Sequence, residues 1–142
     1  MWTEIKDQLG IDDLMEKFAY FHDTCIRDIY ISTQEFVDKK CAMHFDNVLT
    51  VSILFQRQSR ENSALELKFE EVKKMDYEWL FEYGSTLIDD EATLKIENNL
   101  FYWADDRNWT VGNNDAWWIN GKRLFWRFRP ELTGNVMRIN DN

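Results

Sequence analysis

The sequence predicts an α+β fold, in which a mainly antiparallel β-sheet of about seven strands has an N-terminal helix packed on one face. This prediction depends on the spacing of apolar residues, which is helical over residues 2–18 and strand-like within 21–129. Short polar turns separate the alternating runs, as expected of antiparallel strands. The 142 residues are typical of one domain, so we expect a single domain over 1–142. Its polar C-terminal tail at 131–142 should be frayed over the last few residues.

Two sets of apolar residues predict the N-terminal helix. Trp2, Ile5 and Leu9 recur at helical spacing. The second set follows the i, i+3, i+4, i+7 pattern of an amphipathic helix: Ile11, Leu14, Met15 and Phe18. Gly10 interrupts the pattern, so it predicts either one bent helix or two short ones, the second capped by Asp12 or Asp13.

Four strands are predicted in the first half of the sheet. Residues 25–31 are rich in β-branched side chains, and we expect residues 36–45 to form their antiparallel neighbour. Apolar and polar residues alternate over 49–56 and over 65–70, on either side of the polar turn 58–63. This pattern predicts a hairpin with one solvated face.

The second half of the sheet is predicted from two pairs of turn residues. Asn98-Asn99 interrupts the strand-like run 93–103 and suits a tight turn, because asparagine tolerates positive φ. Asn120-Gly121 precedes the last alternating run, 123–129. It predicts either a hairpin turn or a bulge in one continuous strand.

The charge and the cysteine content limit the classes of function. The net charge is −9, with acidic residues concentrated in 76–106 and basic ones in 119–138. Such a surface repels nucleic acid and anionic membranes and favours a basic protein partner. The N-terminal residues do not resemble a secretory signal, and no apolar stretch is long enough to span a bilayer. Two cysteines in such a chain predict free thiols and a cytoplasmic location.

All the histidines and cysteines lie in two pairs, His22-x-x-Cys25 and Cys41-x-x-His44. Two such pairs are a pattern of tetrahedral zinc sites, so they form a candidate metal- or thiol-dependent site. Residues three apart on a strand point to opposite faces, which favours ordinary packed or solvated side chains instead. We therefore expect no cofactor, although a Cys25–Cys41 disulfide or catalysis by a Cys–His pair stays open. No nucleophile elbow, phosphate loop or metalloprotease helix supports catalysis.

Arginines form a second candidate site, in which Arg57 ends one strand and three others line one phase of the last strand: Arg123, Arg127 and Arg129. Guanidinium groups on one face repel each other unless negative charges lie opposite. Glu66, Glu70 or Glu97 could provide those charges within the fold, and we favour this internal charge ladder. The alternative is an anion-binding module.

Tryptophans form a third candidate site. Trp109, Trp117 and Trp118 lie in or beside the polar segment 107–118. Tryptophan is enriched at interaction hot spots, and adjacent strand residues face opposite ways. At least one of Trp117 and Trp118 therefore needs a surface other than the main core, which a protein partner or a homo-oligomer could provide.

Four segments resemble a family of small, uncharacterised bacterial proteins: Phe21-His22-Asp23-Thr24-Cys25-Ile26, Phe55-Gln56-Arg57-Gln58, Phe101-Tyr102-Trp103-Ala104-Asp105 and Leu124-Phe125-Trp126-Arg127. In that family the first segment has serine where this chain has Thr24. The resemblance covers about residues 18 to 128 and implies no activity. Its general style is similar to that of bacterial immunity proteins that neutralise toxins. Together with the charge, it favours a small, non-enzymatic, cytoplasmic binding protein that is immunity-like.

Overall fold

A computed structural model describes residues 1–78 and 85–138 of the chain. Its helices are α1 (Gln8–Lys17) and two single 3₁₀ turns, Ala19–Phe21 and Pro130–Leu132. Its strands are β1 (Thr3–Ile5), β2 (Thr24–Thr33), β3 (Phe36–Val37), β4 (Met43–His44), β5 (Leu49–Arg57), β6 (Ala64–Asp76), β7 (Thr93–Glu97), β8 (Leu100–Ala104) and β9 (Trp118–Phe128). The expected fraying of the last few residues concerns 139–142, which lie outside the described residues.

Seven of these strands form one antiparallel sheet, so the predicted α+β class is confirmed. The order across the sheet is β2-β5-β6-β9-β8-β7, and β1 pairs with β9 beside the end of β8. Strands β3 and β4 form a separate two-stranded hairpin. Among the described strands, β2 and β7 lie at the two ends of this order, and β1, which pairs with β9 alone, is a further edge strand.

The N-terminal helix is shorter than the predicted 2–18. Residues Thr3–Ile5 form a strand, because they pair with Leu124–Trp126 of β9 and this pairing overrides their helical spacing. The helix begins only at Gln8, where the side chain of Asp7 accepts a hydrogen bond from the backbone N–H of Gly10. Gly10 therefore lies inside the helix and does not break it. Neither Asp12 nor Asp13 caps it, and Leu9 is exposed.

One face of the sheet carries the main core, and α1 packs there as predicted. Ile11, Leu14 and Met15 of the helix are buried in the same cluster as the apolar phases of the central strands. The rings of Phe18 and Phe21 extend this cluster toward Phe55 and Trp103. The helix lies against the sheet because its apolar stripe meets a continuous apolar surface.

Both predictions about turns are resolved by the pairing of the strands. Asn98 and Asn99 have φ angles of 53° and 62°, and they close the β7–β8 hairpin as predicted. Asn120-Gly121 does not turn the chain, because both residues lie inside the continuous strand β9. The register of β6 against β9 shifts opposite this pair, because Gly121 faces Val72 and Asn120 faces Lys74. The extra residue of the bulge is therefore Lys73 in β6, and not a residue of β9 as predicted.

The second face of the β5–β6 hairpin is buried, although its polar phase predicts solvation. Leu54 and Ala64 pack with Leu132 from the segment that follows Pro130. The side-chain amide of Gln56 donates to the carbonyl oxygens of Leu132 and Gly134, at 2.8 and 2.9 Å. The segment 130–138 therefore lies across this face as a strap and covers it.

Candidate interaction surface

The hairpin formed by β3 and β4 is the most exposed part of the described chain. We expected residues 36–45 to pair with β2, but β5 takes that position, and 36–45 fold back on themselves. Besides the pairing of β3 with β4, Asp38 accepts hydrogen bonds from Lys40, Cys41, Ala42 and His44 and donates its own backbone N–H to the carbonyl oxygen of Ala42. The chain can make this reversal because Cys41 adopts a φ of 63°. The hairpin is thus held by its own contacts rather than by the sheet.

Asp38 organises this hairpin from its centre. Its carboxylate accepts hydrogen bonds from the backbone N–H groups of Lys40 and Ala42, at 2.8 and 3.0 Å. It also contacts Nε2 of His44 at 2.8 Å. The hydrogen bond with His44, followed by those from Ala42 and Lys40, lowers the pKa of Asp38. The ring of His44 stacks on Phe36 with centroids 4.4 Å apart.

Large apolar side chains are exposed on this hairpin and on the strand that leads into it. Each of them is between 52% and 75% exposed: Tyr30, Ile31, Phe36, Val37, Met43 and Phe45. We call these six residues the apolar corner. Exposed apolar residues are common singly, and six of them within residues 30–45 make this stretch a candidate interaction site. Adjacent strand residues such as Tyr30 and Ile31 point to opposite faces, so the six side chains are divided between two faces.

Among the described residues, the outer edge of β2 is paired at its beginning by a segment that follows residue 85. The backbone of Thr24 bonds to Ile88 in both directions, and Ile26 bonds to the hydroxyl of Thr86 in both directions. From Asp28 to Thr33, no backbone hydrogen bond joins the outer edge to any described residue. Residues Asp28–Thr33 include Tyr30 and Ile31 of the apolar corner.

The predicted metal- or thiol-dependent site does not assemble. His22 contacts Asp23 at the start of β2 (3.0 Å), and Cys25 is half-buried within β2, whereas Cys41 and His44 lie on the hairpin. Among residues 1–78 and 85–138, no group of three or more His, Cys, Asp or Glu side chains is placed to hold a metal ion. Both cysteines are free thiols, so the Cys25–Cys41 disulfide is absent.

The arginines of β9 form the internal charge ladder that the sequence favours. Arg123 contacts Glu70 (3.3 Å) and Glu4 (3.1 Å). Arg127 contacts Glu66 at 3.0 Å, directly across the β6–β9 register. Glu97, the third carboxylate considered, pairs with Lys95 instead.

Arg129 and Arg57 are likewise engaged within the fold. Burial disfavours the charge of Arg129, but hydrogen bonds to Glu131 and Glu66 raise its pKa overall. Arg57 donates to the carbonyl oxygens of Glu61 and Asn62, at 3.0 Å each, and lies over the ring of Phe18. Partial burial lowers the pKa of Arg57.

Glu66 is the centre of a buried polar network that the sequence does not reveal. The residue is 5% exposed, and its carboxylate accepts hydrogen bonds from Arg127, Arg129 and the hydroxyl of Ser52. Arg138, on the strap, lies 3.3 Å from it and also bonds to Asp28 of β2. The strap is thereby tied to two strands by charge as well as by apolar packing.

All three candidate tryptophans are buried within the chain. Trp117 joins the main core beside Trp103, whereas Trp118 packs on the opposite face with Trp109 and Tyr102. The two adjacent residues therefore face opposite ways, as predicted. The second surface is provided by the loop that carries Trp109, whose Nε1 donates to the carbonyl oxygen of Asn113 at 2.7 Å. These side chains do not form an exposed surface.

A cleft of about 380 Å³ opens beside the covered half of β2. Its lining combines one guanidinium, a thiol, two amides and two carboxylates: Asp23, Cys25, Gln56, Arg57, Gln58, Leu87 and Asp89. The only cation among them, Arg57, is already held by two carbonyl oxygens. The cleft is therefore poorly suited to an anion.

Comparisons with protein-family models, with curated proteins and with solved structures give no match for this chain. The helices of the described residues are all too short or too polar to cross a lipid bilayer.

Proposed function

We propose that this protein is a small, non-enzymatic binding domain that holds another polypeptide at its apolar corner. The observation that carries the proposal is the exposure of Phe36, Val37, Met43 and Phe45 on a hairpin that is closed by hydrogen bonds to Asp38. A hairpin preorganised in this way loses little conformational freedom on binding, which favours affinity. Two phenylalanines and a methionine are also the residue types that are enriched at protein interfaces.

The candidate chemical sites support a binding role over catalysis or anion binding. The histidines and cysteines are divided between the start of β2 and the β3–β4 hairpin, and no metal-binding group of three or more such side chains forms among the described residues. Arg123 and Arg127 of β9 pair with Glu70, Glu4 and Glu66, and Arg129 pairs with Glu131 and Glu66. In contrast, the side chains of the apolar corner belong to none of the buried clusters of the described residues, and Phe36 among them stacks on His44 of the same hairpin.

The test is a comparison of three tagged proteins: the wild type, Phe36→Ser/Phe45→Ser, and the control Leu9→Ser. Both phenylalanines and Leu9 are exposed, so none of these changes should affect folding. We expect the wild type and the control to hold a stoichiometric polypeptide, either another protein recovered from native lysate or a second copy detected by light scattering. The double variant should lose it, because truncation of an aromatic hot spot costs about 2 kcal/mol or more. If the wild type holds nothing, or if the double variant holds as much, the proposal is wrong.

A further inference from the structure

We propose that the face of β5 and β6 opposite the main core is a peptide-binding groove. The strap fills this groove within the chain, and an arginine-bearing segment of another polypeptide can take its place. The site is separate from the apolar corner, so it goes beyond the proposed function. The first step is that the strap contacts the sheet as a ligand would. Among the described residues, no backbone–backbone hydrogen bond joins residues 130–138 to a strand.

Side chains of the sheet instead bind alternate carbonyl groups of the strap. Gln56 donates to the carbonyl oxygens of Leu132 and Gly134. Nε of Arg27 donates to the carbonyl oxygen of Val136 at 2.9 Å. Every residue of a peptide has a carbonyl group, so these three bonds hold a backbone without selecting its side chains. Selection is left to the pockets beside them.

The first of these pockets binds a guanidinium group. Nε of Arg138 donates to Asp28 at 2.8 Å, and Nη2 donates to the same carboxylate. The hydroxyl and the backbone oxygen of Ser52 accept from Nη1 and Nη2, at 2.8 and 3.0 Å, and Glu66 lies 3.3 Å from Nη1. All three nitrogen atoms therefore have acceptors, and the side chain is only 15% exposed. A lysine ammonium group cannot reproduce this planar set of bonds, so the pocket selects arginine.

The second pocket is apolar and lies six residues earlier along the strap. Leu132 is 1% exposed and packs on Leu54 and Ala64, and Val136 packs against the same cluster. The residues between them are exposed at positions 133–135. The groove thus selects a leucine and an arginine six residues later, and it leaves most of the intervening side chains in solvent.

The strap is the part of this face that another polypeptide can replace. Strands β5 and β6 pair with each other and with β2 and β9, so their pairing does not include the strap. A partner segment with the same two anchors can make the same contacts in competition with it. The net charge of −9 favours the approach of a basic segment. The strap then lowers the apparent affinity for that segment by the fraction of molecules in which the groove is free.

The experiment titrates a fluorescent peptide of residues 130–138 into four full-length proteins and measures anisotropy. The proteins are the wild type, Arg138→Gln, Arg138→Gln/Asp28→Asn, and the control Arg107→Gln, which removes an exposed arginine paired with Asp90. We expect Arg138→Gln to bind the peptide at least about tenfold more tightly than the wild type and the control, because its own strap is released.

A second peptide tests the selection of arginine. The same peptide carrying Arg138→Gln should bind at least about tenfold more weakly to the Arg138→Gln protein. The Arg138→Gln/Asp28→Asn protein should lose this preference between the two peptides, because Asp28 is the carboxylate that binds the guanidinium group twice. A purely structural role of Asp28 would leave the preference unchanged.

Cooperative urea unfolding shows that each variant is folded. If Arg138→Gln does not fold, Leu132→Ala takes its place with the same expectations, because it removes the apolar anchor of the strap and keeps the arginine. Equal affinity of the wild type and the released variant for the peptide overturns the inference, and so does equal binding of the two peptides by the released variant. None of these changes alters the apolar corner, so the proposed function is tested separately.

Discussion

Removing the carboxylate of Glu66 should destabilise the protein more than any other single charge substitution in the sheet. The residue is 5% exposed and contacts three guanidinium groups, at 3.0 Å from Arg127, 2.7 Å from Arg129 and 3.3 Å from Arg138. In Glu66→Ala these groups would remain together without their shared counter-charge, and the hydroxyl of Ser52 would lose its acceptor.

The magnitude follows from the burial of the partners. Removal of one member of a fully buried ion pair costs about 3–5 kcal/mol. The three arginine side chains retain 15–28% exposure, so water can partly solvate them. We therefore expect Glu66→Ala to lower the free energy of unfolding by about 3 kcal/mol. Glu66→Gln keeps the volume and one acceptor, and it should cost about half as much.

Urea denaturation monitored by tryptophan fluorescence measures this difference. With a urea dependence of about 2 kcal/mol/M, the midpoint of Glu66→Ala should fall by about 1.5 M. The matched control is Glu97→Gln, which removes an exposed pair with Lys95 on an edge strand and should cost less than about 0.5 kcal/mol. A loss in Glu66→Ala no greater than that of the control would refute the role assigned to the network.

Two further predictions concern stability. Burial raises the pKa of Asp105 to about 6, above its unfolded value of 3.8. The contribution of this carboxyl group to the free energy of unfolding is therefore most favourable below pH 4 and is lost as the pH rises through 6. After allowance for the partial exposure of Asp105, Asp105→Asn should raise the free energy of unfolding by about 1 kcal/mol at pH 7.5 and leave it unchanged at pH 3.5. Unfolding curves of the wild type and the variant at both pH values measure this difference. An equal effect at both pH values would contradict the prediction. Gly121→Ala should lower stability by about 1–3 kcal/mol, because its methyl group would meet the carbonyl oxygen of Glu70 at 3.0 Å and Cβ of Phe69 at 3.3 Å. An unchanged melting temperature would show that β6 yields easily at the bulge.

Alternation predicts the central strands well because it reports a local property. The apolar phases of 49–56, 65–70 and 123–129 all face the main core, as their period of two requires. The charge ladder follows from the same argument, since Arg127 and Glu66 occupy facing positions on neighbouring strands. The alternation does not predict that the polar residues between these apolar ones are also buried. Glu66 has the pattern of a solvated residue, and its cover comes from the distant strap.

The sequence pattern fails where hydrogen bonds that it does not encode, distant in one case and local in the other, decide the structure. Trp2, Ile5 and Leu9 have helical spacing, but the pairing of Thr3–Ile5 with β9 makes the first part a strand. Residues 36–45 have strand character, and the hydrogen bonds that Asp38 accepts turn them into a hairpin of their own. The apolar corner was missed for the same reason, because its composition is that of a core strand and only its position in the fold leaves it exposed.

The central position of β9 has a consequence for how the chain folds. This strand pairs with β6 along its length, and its other side pairs first with β8 and then with β1, which lies more than a hundred residues earlier in the chain. Until residues 118–128 have been synthesised, β6 lacks its neighbour, and β1 and β8 have no sheet to join. Such non-local pairing is typical of domains that fold in milliseconds to seconds rather than microseconds. During synthesis, the sheet should therefore form late and in one cooperative step, with the unpaired edge of β6 exposed until then.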